Sequence, residues 1–299
     1  MTVSPDLFAT FSSLVDHHDV DPPAAADRLR EMVNDNLIEE SDHRRLAWLV
    51  NHVIGETLGQ WTLSSDTLDR GLGASREPAC VVQRATAALM CGQAAHSLSL
   101  LPRLAELAQC TYPMAAAVVY LSALQYSKDA SVDVKVPAFN GLLEMLDAPV
   151  VSMGRVAPIV AAALNNVTSS LMDAPDDNVG GDPSAYRRAL VKGAERCRAV
   201  WTEVGNWINQ ERAHYLVALC ANRLLDHGAA ERAALAGIET ITNNGTEDVD
   251  RAFLLLELAR ARRGLGRQAE ADGARQQAMA LAASFDKEVR ATFDARALT

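Results

Sequence analysis

The sequence predicts an all-α fold built from tandem antiparallel helical hairpins stacked as a solenoid, and three observations carry that prediction. Shifting residues 212–283 by 38 positions lays Leu216 on Leu254, Ala221 on Ala259, Gly228 on Gly266, Ala233 on Ala271 and Ala236 on Ala274. Alanine and leucine supply much of an apolar content of 49%, while aromatics reach only 5%, a balance that favours helices over sheets. Pro5, Pro22, Pro113, Pro137 and Pro183 each stand where a first helical turn can begin, because proline there loses no needed hydrogen bond.

Taken in order, Pro5 and Pro22 open helices near 5–18 and 22–38, and apolar periodicity continues through 42–59, 64–72, 77–92 and 94–110. Pro113 and Pro137 open helices near 112–127 and 136–147, followed by 150–171. Asp182-Pro183, a good N-cap followed by a first helical residue, starts 183–208, and the pattern then runs through 210–227, 229–243, 247–264, 267–284 and 286–297. Most connections are short, so consecutive helices are expected to pack as antiparallel hairpins. Small residues fall where two helices must approach closely, and each glycine of the duplicated segment is expected between its helices.

One interval reads as a loop: Asp173-Ala-Pro-Asp-Asp-Asn-Val-Gly-Gly-Asp182. The expected organisation is therefore an N-terminal helical array over 1–172, an acidic loop over 173–182 and C-terminal repeats over 183–299, with the two arrays continuous. Residues 137–172 hold only Glu144, Asp147 and Arg155 as charged side chains. Helices that apolar must be covered on more than one side, by the fold itself or by another copy of the chain. Burial within the fold is the favoured reading, and a homo-oligomer is the alternative. Arg155 among such surroundings needs a partner, for which Glu144 or Asp147 is expected.

Net charge of -10 argues against nucleic-acid binding, which needs a basic surface. The charge is uneven, with nine acids against two arginines in residues 1–40 and nine bases against six acids in residues 251–299. Five cysteines (Cys80, Cys91, Cys110, Cys197, Cys220) form no CxxC and lie in apolar stretches, as in a reduced, cytoplasmic protein. The first twenty-seven residues carry no Lys or Arg, so no secretory signal is expected, and Val156–Met172 reads as too short and too polar for a membrane span.

The C-terminal duplicate resembles the tetratricopeptide repeat family. Leu258-Ala259, Gly266, Ala271 and Ala278 sit at the matching spacings, and the preceding copy supplies Cys220-Ala221, Gly228 and Ala233. The copies depart from the family at Val217 and Leu255, where a large aromatic is usual, at Leu224 and Arg262, where a tyrosine is usual, and in lacking the terminal proline. A weaker echo places Ala85 and Gly92 136 residues before Ala221 and Gly228. The resemblance implies a concave groove lined by the first helix of each hairpin. Carried over position by position, it implies peptide-binding roles for Tyr215, Asn222, Phe253, Arg260 and Arg263. Asparagine can hold a peptide backbone, arginine a carboxylate, and the aromatics flat apolar area.

Other chemistry is poorly supported. His17-His18-Asp19, His43 and the His52/Glu56 pair do not complete a zinc set. The aspartates of 173–182 lack the alternating acids and closing glutamate of a calcium loop. No GxSxG, GxGxxG or GxxxxGK[ST] occurs, and no catalytic residue, metal or cofactor is expected. The function expected is a non-catalytic interaction scaffold or regulatory module that binds a protein or peptide, an acidic one included, with no nucleic acid and no membrane. The alternative is a helical-bundle enzyme or small-ligand-sensing domain with an apolar pocket around 137–172 and Arg155.

Overall fold

In a computed structural model the described residues are 8–127, 129–173 and 182–298, and they contain fifteen α-helices and no β-strand. Two compact units are present. The first comprises Met1–Asp129 with Val151–Ile159. It holds α1 (Phe11–His17), α2 (Pro22–Asn34), α3 (His43–Val50), α4 (Trp61–Leu72), α5 (Pro78–Met90), α6 (Ala94–Ala108) and α7 (Tyr112–Tyr126).

Local chemistry starts these helices. The side chains of Thr10, Asp21 and Thr111 accept the backbone N–H of Ser13, Ala24 and Met114, satisfying donors that a first turn leaves orphaned. Buried Leu14, Leu29, Leu46, Leu49, Ile54 and Leu68 form the core of this unit. The helix expected over 42–59 is not uniform. After α3 it widens into a π-helical segment, Asn51–Thr57. A side chain at Gly55 would meet the Trp61 ring at 2.5 Å, so only glycine fits beneath the indole.

The second unit comprises Ala130–Val150 and Val160–Thr299. Its helices are α8 (Val132–Met145), α9 (Ala157–Met172, from Val160 on), α10 (Pro183–Val204), α11 (Trp207–Arg223), α12 (His227–Asn244), α13 (Asp248–Gly264), α14 (Gln268–Ala282) and α15 (Lys287–Ala297). Of the acidic interval, 174–181 lie outside the described residues, and Asp182 caps α10 through the Ser184 N–H at 2.8 Å. Pro137 lies inside α8, which begins at Val132, so it does not open that helix. Val150–Met172 is long and apolar enough to cross a membrane by length and composition, yet half of it is buried in the protein. It is also broken at Gly154, whose backbone leaves the helical range.

Arg155 does not sit in an apolar pocket with Glu144 or Asp147. Its side chain is 54% exposed and pairs with Glu77 at 3.3 Å, because an arginine near a helix kink can reach solvent and a surface carboxylate at little cost.

Two consecutive helical hairpins occupy this segment, and their equivalent positions are not the ones the glycines suggest. α11 and α13 start at Trp207 and Asp248 and end at Arg223 and Gly264, a period of 41 residues. Buried pairs recur at that spacing: Ala218 with Ala259, Ala230 with Ala271, Ala233 with Ala274, and Ile241 with Ala282. Both turns carry the same hydrogen bonds, Asp226 N–H to Ala221 O and Arg267 N–H to Arg262 O, each closing over a residue of positive φ. That residue is Gly266 (φ 76°) in the second copy and Leu225 (φ 60°) in the first. Gly228 instead lies in the first turn of α12. The α5–α6 turn repeats the pattern at Gly92, with Gln93 N–H bonded to Ala88 O, so Gly92 corresponds to Leu225 and not to Gly228.

Orientation follows from contacts. Gly245 at the end of α12 lies against Trp207 at the start of α11, so these two helices are antiparallel. Arg212 pairs with Asp250 near the starts of α11 and α13, and Asn222 bonds Glu257 further along, so those two run parallel. Gly237 on α12 permits this packing, since a Cβ there would come within 2.8 Å of Leu254.

Left-handed backbone costs an L-residue roughly 1–2 kcal/mol that glycine avoids. Leu225→Gly is therefore expected to raise stability by about 1 kcal/mol in urea unfolding, as the Leu225 side chain is 75% exposed and contributes little packing.

Candidate functional site

A cationic cleft on the second unit is the strongest candidate. α13 carries the run Leu254-Leu-Leu-Glu-Leu-Ala-Arg260, and its one acid, Glu257, is completely buried. A carboxylate survives there only when hydrogen-bonded and paired. Arg260 donates to both of its oxygens at 3.1 Å. The Asn222 amide donates to Oε2 at 2.8 Å and to the Glu257 backbone carbonyl at 2.9 Å. Glu257 thereby joins α11 to α13 and fixes the position of Arg260 at the surface.

Around that anchor, Leu256, Ala259, Arg260, Arg263, Arg275 and Arg296 from α13, α14 and α15 line a shallow cleft. Arg260 also donates to the Arg296 carbonyl at 3.4 Å. The Arg296 side chain hydrogen-bonds the Tyr215 hydroxyl, and burial pushes that phenol's pKa up. Arg263 and Arg275 are exposed, and among the described residues neither has a carboxylate in ion-pair range. By contrast Arg262 and Arg267, on the same hairpin, are both spent on Glu231.

The five residues carried over from the family resemblance are thus placed as follows. Arg260 and Arg263 line the cleft. Tyr215 sits behind it, half-buried, edge-on to Phe253 at 6.1 Å. Phe253 packs in turn on Phe293 at 5.6 Å, within the core of the unit. Asn222 is buried, and its amide is occupied by Glu257. Arg275 and Arg296 were not among the expected residues. The readable signal for the site was Glu257, a lone acid in a leucine run that must find a cation, and the cation three residues on is Arg260. Nothing in the sequence brings Arg296 from the last helix to that place.

A second buried acid, Glu211, lies in the first turns of α11. Its side chain is fully buried, no N–H or hydroxyl donor reaches either oxygen, its neighbour is the Asp250 carboxyl, and Arg212 approaches only to 3.6 Å while bonding Asp250 at 2.8 Å. Among the described residues no group of three or more His, Cys, Asp or Glu is arranged to hold a metal ion, and the five cysteines are free thiols.

No protein-family model matches the chain, and no curated protein matches it.

Burial, followed by the nearby Asp250 carboxylate, pushes the Glu211 carboxyl up to about 9. The folded protein therefore keeps a proton that the unfolded chain releases above the ordinary glutamate range. The contribution of Glu211 to stability is greatest below that range and declines as pH rises toward 9. Glu211→Gln is expected to stabilise the protein by roughly 1–3 kcal/mol at pH 8, with a smaller gain at pH 5, in denaturant titrations at the two values.

Proposed function

We propose that the C-terminal hairpins, akin to a divergent tetratricopeptide array, act as a non-catalytic binding module for an acidic peptide or the acidic face of a partner helix. The observation that carries this reading is the pair of exposed, unspent guanidinium groups, Arg263 and Arg275, beside Arg260 and Arg296 in one cleft. Planar guanidinium groups hold carboxylates through two parallel bonds. A protein with net charge of -10 that gathers arginines at one place has a local field opposite to its own average, which would steer acidic ligands there. The parallel run of α11 and α13 at a 41-residue period supports the repeat-like reading of the scaffold.

Arg260 is a poor residue for testing the idea, since its removal leaves Glu257 buried without its cation. Arg263 and Arg275 bear no such duty. Wild-type protein is expected to bind a fluorescein-labelled hexaglutamate peptide at low ionic strength, more weakly in 0.5 M salt, and to ignore hexalysine. Arg263→Glu with Arg275→Glu should reduce that affinity at least tenfold by fluorescence anisotropy, with stability changed by no more than about 0.5 kcal/mol. Equal binding by wild type and double variant would remove the basis for the proposal.

A further inference from the structure

The first unit carries a histidine pair that the cleft does not involve. His18, just after α1, and His52, in the π-helical segment, have ring centres 5.1 Å apart at an interplanar angle of 78°. Trp48, one turn before His52, lies parallel to the His52 ring at 5.1 Å and edge-on to His18 at 5.8 Å.

The protonation of both rings follows from their partners. His18 Nδ1 lies 2.7 Å from the carbonyl oxygen of Val15, which can only accept, so Nδ1 carries the hydrogen. His52 Nδ1 lies 2.6 Å from Glu56 Oε2, a carboxylate oxygen, and is likewise the donor. In the neutral imidazole the lone pair then rests on Nε2 in both residues. Neither Nε2 has a hydrogen-bond partner among the described residues.

Imidazoles that ligate metals are held in this manner, with the remote N–H given to a carbonyl or a carboxylate that fixes the tautomer and raises basicity. Two imidazoles bound through Nε2 to one ion at about 2.0–2.1 Å, at a near-tetrahedral angle, place their ring centres roughly 5 Å apart. The 5.1 Å between the His18 and His52 ring centres matches that distance. The His52 side chain is 30% exposed and Trp48 is 39% exposed, which leaves room for water to complete the coordination. The wide turn of the π segment contributes too. It sets Glu56 against His52, and Thr57 Oγ1 donates to the His52 carbonyl at 2.9 Å, holding the turn.

We propose that His18 and His52 form a two-imidazole site for a divalent transition-metal ion, with Glu56 as the positioning residue and water in the remaining positions. Imidazole ligands suit Cu(II), Ni(II) and Zn(II), and Cu(II) is held most tightly of the three.

Trp48 supplies the readout. Cu(II) titrated into the full chain should quench part of its tryptophan fluorescence at one equivalent, with Zn(II) relieving the quenching by competition. The electron paramagnetic resonance spectrum should show two coordinating nitrogens. His18→Ala and His52→Ala should each weaken binding at least tenfold, and Glu56→Gln should weaken it about tenfold while both nitrogens remain. Trp48→Phe should abolish the quenching and keep the resonance spectrum, and His17→Ala should change neither. If His52→Ala lowers helical content by circular dichroism, His52→Gln replaces it, since glutamine can still donate to Glu56. Equal Cu(II) affinity in wild type and the His18/His52 double variant, or a spectrum with fewer than two nitrogens, would overturn the assignment.

Discussion

The pairing of the Glu257 carboxylate, sealed between α11 and α13, is the interaction on which the C-terminal hairpins depend. An unpaired charge at that depth would cost several kcal/mol, so the packing of these helices must deliver partners to it. Asn222 arrives from α11 and Arg260 from the next turn of α13. Meeting both demands at once fixes the axial register of the two helices.

The consequence reaches the surface. Arg260 is committed inward to Glu257, and Arg262 and Arg267 are committed to Glu231 on α12. Arg263 and Arg275 carry no such commitment among the described residues and are exposed beside the same cleft. A cationic cleft results from this internal pairing of charge, and the proposal that it takes carboxylates rests on the same chemistry that holds Glu257. The first unit follows a different logic. There the π-helical turn, whose Gly55 lies against the Trp61 ring, carries His52 and Glu56, with His52 beside His18 and Trp48.

Much of the helical architecture was legible because proline, capping aspartate and alanine act locally. Asp21, Thr111 and Asp182 start helices by bonds to residues two or three positions ahead, which any sequence window contains. The 38-residue spacing of the glycines differs from the 41-residue offset of the helices for an equally physical reason. Glycine is the residue that left-handed turns prefer, so Gly228 seemed the match for Gly266, whereas Leu225 holds that conformation and bears its strain. The π segment was hidden because a single widened turn leaves the apolar pattern of 42–59 nearly unchanged. Of the cleft, Arg260 and Arg263 could be located from family-like spacing, but Arg296 and Arg275 come from later helices whose approach depends on tertiary packing. Asn222 looked like a surface donor until its burial against Glu257 was seen, a contact across 35 residues that no periodicity encodes.

The most direct test is a double-mutant cycle at the α11–α13 contact, using Asn222→Leu, Glu257→Leu and the pair together, with stability measured by urea unfolding. If Glu257 and Asn222 set the register jointly, each single variant is destabilised and the pair recovers a coupling energy of about 1–3 kcal/mol. Strict additivity of the two single effects would contradict the account.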